Sequence, residues 1–308
     1  MNILVVGLGS IGRKHIDAIQ ALQIDAKIYA LRSNQNSITE DKIENIFSLE
    51  HFDVPIDFAI ISNPTNLHYK YIKILAEKQI PLFIEKPALH SLENSDKLIK
   101  LVESKNTITY VACNLRFHPC LLFLKNYLKT KQTRINEVNV YCGSYLPDWR
   151  PGKDFRKIYS ANANMGGGVH LDLFHELDYT TWLFGFPNKV NSIKRNVSTL
   201  DIDAVDYANY NLEYNDFTAN IVLNYYRNKT KRTIEIVSEN QILLLNLINN
   251  TVIDEEDNVL FKLTNFVINQ TYKDQISYFI NCLGLNQHPM NSLKESIEVL
   301  KIVLQNEQ

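Results

Sequence analysis

The chain has 308 residues with 32 Lys plus Arg against 34 Asp plus Glu, a formal charge of −2, and is long enough for two domains that each bury a core. That balance excludes the strongly basic face a nucleic-acid or anionic-lipid partner requires, so no nucleic acid is expected. With 45% hydrophobic residues, 10 Gly and 9 Pro, disordered, collagenous and low-complexity classes are excluded as well.

The apolar run from Met1 to Gly9 lacks a basic leader and stops far short of the ~20 residues a bilayer span needs, so neither an export signal nor a membrane helix is expected. Ile3 to Val6 reads as a strand, Ser10 to Leu22 as an amphipathic helix, and Ala26 to Leu31 and Asp57 to Ser62 as strands. A helix over Asn66 to Lys78, a strand over Leu82 to Ile84, a helix over Ser91 to Ser104 capped by Ser91, and a strand over Ile108 to Val111 follow. Strands alternating with helices at this spacing predict a doubly wound parallel sheet, a Rossmann-type α/β domain. Beyond Pro119 the pattern changes. A helix over Leu121 to Lys129 leads to alternating strands at Asn136 to Tyr145, Lys189 to Val197, Tyr207 to Tyr214, Thr218 to Tyr225, Thr233 to Ser238 and Ile242 to Leu247. Asn215-Asp216 and Glu239-Asn240 suit hairpin turns. Helices are expected at His170 to Phe184, Gln275 to Leu283 and Ser292 to Leu304, so the second domain reads as α+β. The expected division is 1–119 and 120–308. Cys113, Cys120, Cys142 and Cys282 show no zinc or CxxC spacing and are expected to be reduced structural thiols in a cytoplasmic protein without metal.

Gly7-Leu8-Gly9-Ser10-Ile11-Gly12 follows the first strand and opens the first helix, where a dinucleotide fold carries its phosphate-binding turn. Gly7 suits a tight turn, Gly9 an approach of pyrophosphate to the backbone, and Gly12 close helix packing. Ser10 and Ile11 bring helix N-terminal amides to the same anion. The acid that binds both ribose hydroxyls of NAD is absent after the second strand, which continues Arg32-Ser33-Asn34. A guanidinium beside a hydroxyl suits a 2′-phosphate, so NADP is favoured over NAD. Asn63, Pro64, Thr65, Asn66 and His68 follow another strand at its carboxyl end, the edge where such sheets bind ligands, and are expected to meet the cofactor.

Glu85-Lys86-Pro87, taken with the N-terminal glycines, Ser62 to His68, Asn114 to Pro119 and Gly166 to Gly185, resembles the Gfo/Idh/MocA family of oxidoreductases. The resemblance implies a cofactor on the first domain, substrate between it and a large, mostly antiparallel sheet, and a homodimer or homotetramer. Lys86 matches the catalytic lysine that hydrogen-bonds the reacting oxygen, with Glu85 and Asn114 at the cofactor. Asp172 and His175 match a pair that serves a sugar hydroxyl, His175 exchanging the proton and Asp172 orienting substrate, although the spacing is three residues where four is commonest. His170 and Asp178 compete for those roles. Arg116 matches a substrate position and equally suits a structural ion pair. The aromatic and basic stretch from Tyr145 to Arg156 resembles a surface-sugar-pathway subset of the family. There Trp149 suits stacking on a sugar face or on the nicotinamide side, and Arg150, Lys153 or Arg156 suits a carboxylate or phosphate. The expected function is NAD(P)-dependent oxidoreduction at a carbinol or carbonyl carbon of a sugar, cyclitol or sugar derivative, anionic or nucleotide-linked forms included. The alternatives are a non-catalytic cofactor- or sugar-sensing regulator and a reductase of a non-sugar substrate.

Overall fold

In the computed structural model, which describes residues 1–305 apart from 39 and 51, the apolar runs of the first third form a six-stranded sheet. Its strands are β1 (Asn2–Val6), β2 (Lys27–Leu31), β3 (Ile43–Ile46), β4 (Phe58–Ile61), β5 (Leu82–Glu85) and β6 (Thr109–Ala112). Every pairing is parallel. Every residue of β4 and β5 is buried, as a sheet covered on both faces demands of its central strands, and so is every residue of the edge strand β6. The helices α1 (Ser10–Ala21), α2 (His68–Glu77) and α3 (Ser95–Ser104) supply the crossovers. The strand order β3-β2-β1-β4-β5-β6 reverses direction between β1 and β4, and the crevice at the carboxyl ends of those two strands is the ligand position of this topology. β3 was not anticipated. Its sequence, Ile-Glu-Asn-Ile, is short and half polar, as a sheet edge permits. The third helix starts at Ser95 rather than Ser91 because Asn94 takes a left-handed conformation, φ 57°, which no helix can include.

The second sheet has eight strands. The chain enters it through α4 (Pro119–Lys131), capped by His118, whose Nδ1 accepts from the Cys120 amide at 3.2 Å and whose neighbour Pro119 loses no helical hydrogen bond in the first turn. β7 (Ile135–Tyr145) is followed by four short 3-10 turns between Leu146 and Met165. Next come α5 (Val169–Asp172) and α6 (His175–Phe184). The strands β8 (Lys189–Arg195), β9 (Tyr207–Glu213), β10 (Thr218–Asn224), β11 (Tyr226–Ser238), β12 (Ile242–Asn246), β13 (Thr251–Asp254) and β14 (Val259–Lys262) complete the sheet. The order is β14-β13-β12-β11-β7-β10-β9-β8. Only β7 and β10 pair in parallel. Burial alternates along β9 and β10, so one face is covered, and α5 and α6 lie against it. Both predicted turn pairs do join antiparallel neighbours, β9 to β10 and β11 to β12. The single helix expected from His170 to Phe184 is instead two, broken at Leu173, φ −93° and ψ 39°.

The last helices are α7 (Asn269–Gly284) and α8 (Leu293–Val303). α7 packs on α1, and its Phe279 meets the rings of Phe58, Phe83 and Tyr110 at 5.4, 5.5 and 5.9 Å. The chain therefore divides into two compact units, Met1–Asn114 with Val267–Leu300, and Leu115–Phe266 with the chain from Lys301 on. A single cut near 119 places residues 267–300 in the second domain. Their apolar face is buried in the first. Among the described residues no helix is long and apolar enough to cross a membrane, no group of His, Cys, Asp and Glu is arranged to hold a metal, and the four cysteines are buried and outside any disulfide.

Candidate active site

The turn after β1 contains two glycines that the fold itself demands and one that it does not. Gly7 has φ +90°, and a Cβ there would fall 2.5 Å from Asn63 Cα. At Gly12 a Cβ would fall 2.6 Å from the Gly7 carbonyl oxygen and 2.8 Å from Ser62 Oγ. At Gly9 a Cβ would meet nothing within 4 Å, so a bare backbone there matters only to something approaching from outside. Gly9 is also the N-cap of α1, with no side-chain capping bond and no acidic residue in the first turn. The amides of Ser10 and Ile11 thus open the positive end of the helix to solvent. Across the crevice, both polar atoms of the Asn63 amide are buried without a hydrogen-bond partner among the described residues, a costly arrangement unless a ligand completes it. Pro64 and Asn66 are exposed, and the buried Thr65 opens a 3-10 turn, Thr65–Leu67. An open backbone approach, an uncapped helix N-terminus and an orphaned amide together fit a dinucleotide. His68 does a different job. Its Nε2 lies 2.9 Å from the Asn63 carbonyl and its Nδ1 3.2 Å from the Ala88 carbonyl, tying the turn after β4 to the segment after β5. Burial pushes its pKa down.

Lys86 follows the carboxyl end of β5, half-buried, with a cis bond to Pro87. Glu85, expected at the cofactor, gives one carboxylate oxygen to His15 Nε2 of α1 at 2.5 Å and the other to the Lys86 amide at 3.1 Å. Its carboxylate therefore ties the lysine's backbone to α1. His15, fully buried against Phe83, escaped the sequence reading because a histidine on an apolar helix face carries no signal of its partner. Asn114 is buried and donates to Thr271 Oγ1 at 2.7 Å.

At the end of β2, Arg32 is mostly buried, with Nη1 3.3 Å from Asn45 Oδ1 and 4.0 Å from Glu40 Oε1, while Ser33 is exposed. Glu40 also takes both guanidinium nitrogens of Arg13, one of them at 2.7 Å. The Arg13 guanidinium holds its carboxyl below the usual range. Neither Arg13 nor Glu40 was anticipated, since 27 residues separate them.

In the second unit, Gly168, φ +136°, admits the buried His170 ring, whose Cε1 would lie 2.6 Å from a Cβ at that position. Asp172 is the last residue of α5 and His175 the first of α6, so the pair flanks a break instead of sharing one helical face. Asp172 Oδ2 accepts from Tyr225 Oη at 2.5 Å. Tyr225 is fully buried and meets the Trp149 ring edge-on at 5.3 Å, and Trp149 donates from Nε1 to Ser144 Oγ at 2.9 Å. Burial, then the Asp172 charge, raises the Tyr225 phenol well above its ordinary pKa, so it stays a donor to the carboxylate. The sequence reading passed over Tyr225 as a strand end. Arg116 is 1% exposed and bidentate to Asp178, Nε to Oδ2 at 3.0 Å and Nη2 to Oδ1 at 2.7 Å. The charges of both are spent on each other, which is the structural alternative weighed for Arg116. Arg150 and Lys153 are exposed. Arg156 is half-exposed, lying over Phe155 at 4.6 Å and 3.9 Å from Asp201.

Residues 1–113 match the family model described as oxidoreductase family, NAD-binding Rossmann fold. The chain is 25% identical over 209 residues to scyllo-inositol 2-dehydrogenase (NADP(+)) of Bacillus subtilis, covering 66% of this chain and 56% of that protein. It is 26% identical over 190 residues to scyllo-inositol 2-dehydrogenase (NAD(+)) of the same organism, covering 59% of this chain and 53% of that one. The chain thus spans a little over half the length of the curated relatives it matches. Among solved structures, UDP-N-acetylglucosamine 3-dehydrogenase from Acidithiobacillus ferrooxidans superposes with a TM-score of 0.79 at 19% identity, covering 99% of this chain and 96% of that one. At that identity the likeness establishes the fold, a Rossmann-type sheet and a large, mostly antiparallel one.

Proposed function

We propose that this chain, which belongs to the Gfo/Idh/MocA family of oxidoreductases, is an NAD(P)-dependent dehydrogenase or reductase of a sugar, cyclitol or sugar derivative. The observation that carries the reading is the pairing of an open Gly9 with the orphaned Asn63 amide at the switch point of a parallel sheet. The bound dinucleotide supplies hydride chemistry at the substrate's carbinol or carbonyl carbon. Gly7, Gly9, Gly12 and the amides of Ser10 and Ile11 cradle its pyrophosphate, and Asn63 to Asn66 complete the crevice. Lys86 hydrogen-bonds the reacting oxygen and exchanges its proton, with Glu85 and His15 fixing the lysine's backbone. His175 serves as the second acid or base. Asp172 orients a substrate hydroxyl with its carboxylate held in place by Tyr225. Arg32 and Ser33 favour NADP over NAD. Trp149 and the cations Arg150 and Arg156 read a ring-bearing or anionic part of the substrate.

Four reduced thiols agree with a cytoplasmic setting, and a homodimer or homotetramer is the assembly proposed. The test is a panel of cyclitols, aldoses, uronic acids and nucleotide sugars, each incubated with NADP and with NAD while reduced nicotinamide is followed by absorbance. A sugar-dependent signal lost in Lys86→Ala supports the reading. Binding of dinucleotide with no turnover of any panel member in either direction contradicts it and favours a cofactor-sensing regulator.

A further inference from the structure

A dinucleotide bound as proposed, with its pyrophosphate on the α1 N-terminus, would bring its adenosine ribose beside the end of β2, since β1 and β2 are neighbours, Val6 opposite Leu31. At that spot stand two cations and one acid. Arg32 follows the last residue of β2, and Arg13 follows Gly12 on α1. Both face Glu40. Glu40 fills the Arg13 fork bidentately, the geometry with which a guanidinium receives a phosphate. Asn45 of β3 braces this arrangement, accepting from Arg32 at 3.3 Å and donating to the Ile38 carbonyl at 3.2 Å. The Ile38 carbonyl, two residues before the acid in sequence, is thereby tethered to β3.

We infer that Arg13 and Arg32 form a 2′-phosphate site whose anion place is occupied by Glu40, and that displacement of this carboxylate sets the NADP preference of the chain. The inference rests on the proposed dinucleotide site and deepens it. A phosphate ester brings up to two negative charges to two guanidiniums, where Glu40 brings one, so the exchange is favourable in charge. It must still release a bidentate pair, which restrains NADP affinity. A plain ribose hydroxyl cannot displace a carboxylate held in that way, so NAD binds with Glu40 in place. Arg13 and Glu40 are partly exposed, at 44% and 30% of the side chain, and their pairing as a mere surface brace would contribute little. The arrangement gains significance from standing where the ribose must lie.

The experiment is calorimetric titration of NADPH and of NADH into the wild-type chain, Glu40→Gln, Arg13→Ala and Arg32→Ala, with thermal unfolding confirming that each variant is folded. Glu40→Gln should bind NADPH about tenfold more tightly, the scale of one charge-assisted hydrogen bond, with NADH within about threefold of wild type. Arg13→Ala and Arg32→Ala should each weaken NADPH about tenfold and leave NADH nearly unchanged. An unaltered ratio of the two affinities in Glu40→Gln overturns the inference. So does selective loss of NADH binding in that variant, which would make Glu40 a partner of the ribose hydroxyls. Failure of the wild-type chain to bind either dinucleotide overturns the dinucleotide site itself, and the inference with it.

Discussion

Several charged side chains of this protein are buried in pairs that the fold itself supplies. Arg116 and Asp178 consume each other at 1% exposure, and Glu176, wholly buried, is held by Arg232 at 2.6 Å. Such pairs are structural, because removing one partner strands the other in a low-dielectric interior. Lys86 is half-buried at a strand end, and Asp172 carries a tyrosine hydroxyl on one oxygen. For whichever sugar the panel identifies, Lys86→Ala and His175→Ala should each lower kcat about 100-fold or more while calorimetry shows NADPH affinity within about threefold of wild type. Full activity in His175→Ala with loss in His170→Ala would move the proton-exchanging role to the buried His170. Tyr225→Phe removes only a hydroxyl, so it should raise KM and lower kcat by less than either change. The sequence legibly presented Lys86, because the residues on either side of it form a recognisable tripeptide. It did not present Tyr225, His15 or Glu40, whose meaning lies in partners 53, 70 and 27 residues away.

At the scale of elements, caps and breaks decide where functional side chains point. α4 begins on a histidine whose Nδ1 accepts a backbone amide, a role that only the neutral ring can play. Burial lowers His118 from 6.5 to about 4. The unfolded chain therefore takes up a proton as pH falls below its ordinary value, and the folded chain refuses it until about pH 4. Stability from this group is complete above that ordinary value and is lost on acidification, by about 2 kcal/mol at about pH 5. Thermal unfolding from neutral pH downward should show the fall, and His118→Asn, which keeps a capping oxygen without a titrating ring, should flatten it. An equally steep profile in the variant would assign the loss to other groups. Periodicity revealed most strands and helices, since apolar alternation and helical spacing are local. It missed the break between α5 and α6 because Leu173, where the helical dihedrals are lost, is an ordinary helix former that carries no local signal of a break. It also missed β13 and β14, four residues each with polar members, which gain strand form from an existing sheet edge.

At the scale of the whole molecule, the chain leaves its first unit at Asn114 and returns to it at Val267. Chain order alone placed residues 267–300 with the second domain. The buried rings of Tyr110, Phe83 and Phe58 needed Phe279 to cover them, and a covering helix is anonymous in sequence. On the proposed function the two units carry separable duties, a dinucleotide edge in the first and the Asp172 and His175 pair in the second, with Tyr225 and Trp149 beside Asp172. The central claim is that the Gly7 to Gly12 edge holds a dinucleotide, and calorimetric titration of NADPH into wild type, Gly9→Ala and Gly12→Ala tests it most directly. Gly9→Ala meets open space in the protein, so its stability should match wild type to within roughly 0.5 kcal/mol, while its NADPH affinity falls about tenfold or more as the new methyl group obstructs the pyrophosphate. Gly12→Ala, which drives a methyl into the Gly7 carbonyl, should lose stability first. NADPH binding to Gly9→Ala as tight as to the wild-type chain would contradict the account.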